Sequence, residues 1–287
     1  MQSRLPFFIL ICFFSLCLPD LQAQSFYNWK RDRKLTLGIG LGTTNYYGDL
    51  NNTGQVLKFS PNIALNIEYP LAQRINLRLE LMHYQIEGDD NEYEGDDFPE
   101  DRYVRNLSFK ANNFELNAVG VFSLFKENIK YYQRSKFNPY AVVGIGITTV
   151  NPKAFYQGEW YKLRELQTEG VEYKSTSLII PFGAGVKFKV TNSFNLALEA
   201  VYRVTFTDYL DDVSTVYVPQ SSFTDPIAAI LADRRQELGI PPAKPGAIRG
   251  GPDSNDGYLV FSIKGSYYLP TSEWMRRWGS KRPKRLR

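Results

Sequence analysis

The amino-acid sequence predicts an all-β fold: an eight-stranded antiparallel up-and-down transmembrane β-barrel of outer-membrane type, with a short helix in its last outer loop. Three observations predict it. Apolar residues recur with a period of two over segments of about ten residues, the pattern of strands with two unlike faces. The connections alternate between long and short, as in barrels with long outer loops and short periplasmic turns. An apolar run at 5–18 stands behind Arg4 and before Leu21-Gln22-Ala23, the outline of a secretory signal peptide over residues 1–23. The barrel is then expected over 24–269, followed by a basic periplasmic tail over 270–287.

The 287 residues include 19 Tyr, 19 Phe and 4 Trp. No run after residue 20 approaches the roughly 20 apolar residues of a spanning helix. Both cysteines, Cys12 and Cys17, fall in the expected signal peptide. The rest has no disulfide staple and must rely on a large hydrogen-bonded framework.

Leu35, Leu37, Ile39 and Leu41 alternate with Thr36, Gly38, Gly40 and Gly42, small residues suited to the inside of a narrow barrel. After turn chemistry at 45–54, Phe59, Ile63, Leu65, Ile67 and Tyr69 oppose Ser60, Asn62, Asn66 and Glu68. A short turn at 70–74 leads to Ile75, Leu77, Leu79 and Leu81 against Asn76, Arg78, Glu80 and Met82. Residues 87–105 carry nine carboxylates and are expected as a solvated loop. The fourth strand begins Leu107, Phe109 and continues Phe114, Leu116, Ala118; the phase slip at Asn112-Asn113 predicts a bulge. A fifth strand runs over 140–149, and 151–174 is expected as a long loop. Ile180, Phe182, Ala184, Val186 and Phe188 mark the sixth strand. In the seventh, Leu196, Leu198, Ala200, Tyr202, Val204 and Phe206 face away from Asn195, Glu199, Arg203 and Thr205. The longest loop, 208–257, holds Thr224-Asp225-Pro226 before an apolar-periodic stretch ending at Gly239, which predicts a short helix. The last strand runs over 258–269.

A soluble lipocalin-like barrel would turn the apolar faces inward and leave Glu80, Glu115, Lys187, Glu199, Arg203 and Lys264 outside. The nearly uninterrupted apolar faces favour the membrane. The lumen then holds Glu68, Arg78, Glu80, Glu115, Lys187, Lys189, Glu199, Arg203 and Lys264. Opposite charges in so narrow a space must pair, which predicts an ion-pair network of Arg78, Glu80, Glu115, Lys187, Glu199, Arg203 and Lys264 and no diffusion pore.

Charge divides along the barrel axis. With both termini periplasmic, the loop 87–105 sums to −7 (two cations, nine anions) and 208–257 to −4 (four cations, eight anions). On the opposite side 30–34 and 126–138 each give +3 (four cations, one anion), and 270–287 gives +6 (seven cations, one anion). The tail cations Arg276, Arg277, Lys281, Arg282, Lys284, Arg285 and Arg287 would attract an acidic protein, inner-leaflet lipid or another polyanion. Nucleic acid is not expected as a partner in that compartment.

Enzyme signals are weak. The single histidine, His83, stands at a strand end, where an interfacial polar role is the ordinary one. Asp90, Glu92, Glu94, Gly95 and Asp101 outline an EF-hand-like loop, but without a helical frame and with Pro99 inside it. The outer-loop motif Asp208, Tyr209, Asp211 and Asp212 suits either a cation or turn-capping bonds. No cofactor is expected.

Six stretches together resemble a known family: Tyr46-Tyr47-Gly48-Asp49-Leu50; Arg105-Asn106-Leu107-Ser108-Phe109; Asn151-Pro152-Lys153-Ala154 with Glu159-Trp160-Tyr161; Thr168-Glu169-Gly170; Ile180-Pro181-Phe182-Gly183; and Asp208-Tyr209-Leu210-Asp211-Asp212-Val213-Ser214. In this order they are similar to the PorG-like outer-membrane barrels of the Bacteroidetes type IX secretion system, over 35–269. The resemblance implies an outer-membrane, multi-pass barrel surrounded by lipid and associated in the periplasm with the ring-forming lipoprotein and its partner protein. It transfers no catalytic residue. The function expected is non-catalytic: an accessory or anchoring component of protein secretion that docks ring components through a basic periplasmic face. The alternative is a small barrel that binds a lipid or small ligand and has no secretion partners.

Overall fold

Each alternating segment forms a strand, and pairing the first with the last closes the wall. A computed structural model describes residues 35–50, 59–92, 100–127, 134–252 and 255–269. The expected signal peptide and basic tail lie outside the described residues. The strands are β1 (Thr36–Tyr47), β2 (Pro61–Pro70), β3 (Ile75–Asp89), β4 (Ser108–Ser123), β5 (Phe137–Thr149), β6 (Pro152–Tyr156), β7 (Glu159–Lys162), β8 (Thr176–Lys189), β9 (Phe194–Thr205) and β10 (Gly257–Tyr268). Neighbours pair in the order β3-β2-β1-β10-β9-β8-β5-β4, and β3 pairs with β4 to complete a closed eight-stranded antiparallel barrel. Closure leaves no sheet edge within the ring, which a lipid environment requires. Among the described residues no helix is long and apolar enough to cross a membrane.

The outer wall is apolar. Leu65, Leu79, Leu81, Leu116, Val143 and Ile145 are all exposed, Ile145 by 71 %. Exposed aromatic rings lie at both margins of this belt: Phe59, Phe114 and Phe206 toward the long loops, and Phe122, Phe137, Phe188 and Tyr267 toward the short turns. Phe114 and Phe122 are eight positions apart on β4, roughly 20 Å along the barrel axis at ~3.4 Å per residue and a ~40° tilt, close to the apolar band of a membrane barrel. Water would penalise such a surface; hydrocarbon does not.

The inner wall is close-packed against charge. A Cβ added at Gly40 would sit 3.0 Å from the side-chain stem of Lys264, so glycine there leaves space for a lumen cation. Above the belt the polarity inverts. On β4, Phe114 and Leu116 face out, whereas Phe109 and Ala111 are buried inside. They join Tyr46, Tyr84, Ile86, Leu107, Leu210 and Tyr258 in an apolar core under the long loops.

That inversion corrects the expected bulge. The β3–β4 ladder runs without a slip from Ile75↔Phe122 to Asp89↔Ser108, passing Tyr84↔Asn113 and Gln85↔Asn112. The apparent change of phase at Asn112-Asn113 marks where the apolar face moves from outside to inside. A second correction concerns 151–174, expected as a loop: it contains the β6–β7 hairpin, whose β6 extends the wall by pairing Lys153 with Lys110 on β4. The acidic loop is likewise shorter than expected. β3 continues to Asp89, and a helix spans Glu100–Arg105. In the last loop the expected helix stops at Ala232, because the side chain of Asp233 caps a separate 3₁₀ segment, Arg234–Leu238, ending at left-handed Gly239.

Leu79 pairs with Ile67 and Ala118 in the middle of the belt. Leu79→Arg is expected to cost ~2–4 kcal/mol in reversible denaturant unfolding from vesicles. Gln85→Arg, on the same strand beyond the belt, should stay near wild type.

Candidate functional site

Three regions were expected to carry chemistry: the lumen, the long-loop end and the short-turn end. In the lumen the seven residues named from the sequence are all buried, and ion pairs join them through Glu68. Glu199 accepts from Arg78 Nη1 and Lys264 Nζ, each at 2.6 Å, and from the Tyr140 hydroxyl at 2.8 Å. Lys264 also contacts Glu80. Arg203 lies 3.4 Å from Glu115 and 3.7 Å from Glu80. Glu115 takes further bonds from Tyr258 at 2.7 Å and Asn117 at 2.5 Å. Toward the short turns Glu68 accepts from Lys187 at 2.9 Å, Arg78 at 3.2 Å and Asn76 at 2.7 Å. Four cations face four glutamates, with Glu127 beside Lys187 at the exit. Lys189 is half-buried at the end of β8. Each of these charges is matched at a position buried from water.

The long-loop end is a polar knot over the apolar core. Its residues come from loops far apart in sequence, and several of the stretches singled out above meet there. The Tyr46 hydroxyl donates to Asp256 Oδ1 at 2.6 Å. Asp256 accepts the backbone N–H of Leu210 at 2.8 Å. Asp211 accepts the N–H groups of Val213 at 2.9 Å and Leu50 at 3.1 Å, tying the loop after β9 to the loop after β1. Asp212, with left-handed backbone (φ 69°), accepts from Tyr173 at 2.5 Å and from Thr168. Glu169 accepts the N–H groups of Ser214 and Thr215, each at 3.0 Å, and Arg249 at 2.8 Å. Arg249 also donates to the carbonyls of Asp212 at 2.6 Å and Ala232 at 3.1 Å. Tyr209 stacks on Tyr173 with centroids 4.6 Å apart, and Asp208 is half-buried at the loop base.

These bonds mark Asp211 and Asp212 as braces for the longest loop. Among the described residues no group of three His, Cys, Asp or Glu side chains is placed to hold a metal ion. The EF-hand-like outline is interrupted as well. Asp90 is buried, gripped by Arg105 at 2.7 and 2.8 Å, and accepts the N–H of Leu107 at 3.0 Å, whereas Glu94 and Gly95 lie outside the described residues. The expectation of a solvated acidic loop therefore fails at Asp90. Sequence reasoning missed Tyr46, Arg249 and Asp256 as parts of the knot; Arg249 and Asp256 sit in a stretch without periodicity, which carried no signal for them. His83 packs beside Phe114 on the outer wall, centroids 4.9 Å apart.

Burial without enough counter-charge raises Asp208, Asp211, Asp212 and Asp256. Asp211 is pushed up to about 8 by burial and the neighbouring Asp49 charge, against its bonds from Tyr46 and Val213. Asp212 rises to about 6 by burial, moderated by Arg249, and Asp208 to about 6 by burial. Asp256 is raised by burial and by the charge of Asp211.

At the short-turn end, Arg134 does not contribute to a basic docking face. It is buried, donates to the carbonyls of Asn192 at 2.7 Å and Thr191 at 3.1 Å, and lies 4.3 Å from the Tyr268 ring centre. Lys126 and Lys136 are exposed. Arg276, Arg277, Lys281, Arg282, Lys284, Arg285 and Arg287 lie outside the described residues.

The sequence profile of a family described as "Domain of unknown function (DUF6089)" matches residues 20–221. No curated protein sequence matches the chain. Similar solved structures include neisserial surface protein A, at 9 % identity over 82 % of this chain and 97 % of that one, TM-score 0.42. Ail of Yersinia pestis gives 11 %, 83 %, 98 % and 0.38. OprG of Pseudomonas aeruginosa gives 12 %, 83 %, 96 % and 0.34.

Two outcomes follow from the knot. Arg249→Met leaves Glu169 buried without its cation and is expected to loosen the loop 206–256 by ~3–5 kcal/mol; limited proteolysis should cut that loop while the barrel stays intact. The second concerns pH. The folded values of Asp208, Asp211 and Asp212 lie above the ~3.9 of an unfolded aspartate. Their contribution is therefore complete below about pH 4 and is lost as pH rises through about 6 and then about 8. Hydrogen exchange, corrected for its intrinsic rate, should show the amides of Leu50 and Val213 better protected at pH 5 than at pH 8.5. Asp211→Asn should flatten the upper part of that change.

Proposed function

The chain belongs to the DUF6089 family, and on that premise we propose that it is an outer-membrane barrel that works without catalysis, as an accessory and anchoring component of the type IX protein secretion machinery. The observation that carries the non-catalytic reading is the lumen. Arg78, Lys187, Arg203 and Lys264 are each spent on a buried glutamate, so among the described residues the bore's cations and glutamates are taken up with one another and form no free acid–base pair. The working surfaces are then the wall, the loops and the turn-side rim. The ordered series of stretches from Tyr46 to Ser214, similar to the PorG-like barrels, supports the assignment to secretion. Two of those stretches, at Thr168–Glu169 and Asp212–Ser214, bond directly to one another.

The barrel holds its position in the bilayer by its apolar belt. The basic periplasmic side docks the ring-forming lipoprotein and its partner, with Lys126 and Lys136 on the rim and Arg276, Arg277 and 281–287 in the tail supplying the charge. The outer loops, held by the Arg249 knot, face cargo or other partners.

Deleting 270–287 tests the docking. The truncated chain should still insert in the outer membrane, while co-purification of ring components from native membranes drops about tenfold or more and secretion falls. Unchanged co-purification and secretion would sink the docking role.

A further inference from the structure

One row of directly opposed residues crosses the sheet just beyond the belt: Glu87 on β3, Lys110 on β4, Lys153 on β6 and Lys162 on β7. Opposed residues share a face, and here that face is outward, because Phe109 and Ala111 flank Lys110 and are buried inside. Lysines directly opposite in adjacent strands repel. Glu87 lies 3.4 Å from Lys110, and Glu165 holds Lys162 at 2.7 Å. No carboxylate among the described residues pairs with Lys153, which stands between the other two lysines.

Two positions farther along the hairpin, Phe155 opposes Trp160 on the same face, ring centroids 5.2 Å apart. Both rings are about half exposed, at 47 % and 51 %. In the other direction Phe114 ends the belt four positions from Lys110, roughly 10 Å along the barrel axis. The order outward from the hydrocarbon is thus apolar wall, ammonium row, aromatic pair.

We propose that this outward face binds the headgroup of a phosphorylated glycolipid in the leaflet at the long-loop end. Such a lipid carries its acyl chains and its phosphates on the same sugars, so phosphate and sugar ring both lie just beyond the hydrocarbon. A phosphate set among Lys110, Lys153 and Lys162 offsets their mutual repulsion by charge-assisted bonds. Phe155 and Trp160 cover the apolar face of a sugar ring. A phosphatidylglycerol headgroup would satisfy the lysines and leave the rings bare, and a zwitterionic headgroup would bring its own ammonium beside the three lysines, which selects the glycolipid. The inference rests on the membrane-spanning reading and is independent of any role in secretion.

The full-length chain is placed in phosphatidylcholine nanodiscs containing lipid A, and bound lipid is counted by native mass spectrometry. Insertion is scored separately, by protection of the strands from protease. Wild type should retain lipid A, and Lys153→Gln/Lys162→Gln should retain about tenfold less, the worth of one charge-assisted contact. Trp160→Ala should also lose lipid A, with Trp160→Phe restoring part of it. Equal retention by an inserted wild type and the lysine variant overturns the proposal. So does equal retention of phosphatidylglycerol, or displacement of lipid A by inorganic phosphate. A wild type that fails to insert overturns the membrane reading along with it.

Discussion

Glu199 takes three bonds inside a bore from which water is excluded, and the rest of the interior is arranged around keeping it charged and matched. A lone carboxylate there would be costly to desolvate; Arg78 and Lys264 offset that cost and are themselves held by Glu68 and Glu80. The same network sets strand register. A slip of one residue would turn Glu199 and Arg203 into the hydrocarbon and Leu198 and Tyr202 into the bore. In lipid, where apolar side chains gain little by choosing one side, the penalty on misplaced charge distinguishes inside from outside.

Beyond the belt the rule reverses. The wall goes on as the same ladder, yet Phe109, Tyr84 and Ile86 now point inward and Lys110 and Glu87 outward, as in a protein surrounded by water. One strand thus reads two solvents along its length. β4 changes at Asn112-Asn113 and β3 near Met82-His83, where inward Arg78 and Glu80 give way to Tyr84 and Ile86. The lysine row and the aromatic pair of the hairpin lie just past this boundary, where headgroups meet water.

Most of the wall was legible in the sequence, because period-two alternation states which residues share a face. It located Glu199, Arg203 and Lys264 in the bore without reference to their partners. Alternation also misled at one place, since a phase change caused by a change of solvent looks the same as a bulge. The knot was far less legible. Asp211 and Asp212 lay in a recognisable stretch, but Arg249 and Asp256 sit in a segment with neither period nor motif, and their partners are set by how four loops converge. Arg134 shows the matching failure for charge sums: counted toward a basic rim, it spends its guanidinium on backbone carbonyls and the Tyr268 ring.

The closure of the ring lies between the two strands farthest apart in the sequence, β1 and β10, and the knot sits directly over that junction. Tyr46 reaches Asp256 across 210 residues, Asp49 receives the N–H of Gly251 across 202, and Leu50 reaches Asp211 across 161. Contacts so remote form late, after the chain has given up most of its loop entropy. The knot therefore cannot guide the early strands together. Its effect falls on the reverse step: strand β1 cannot peel from β10 at the long-loop end until these bonds part, so opening of the seam is retarded more than its formation is hastened.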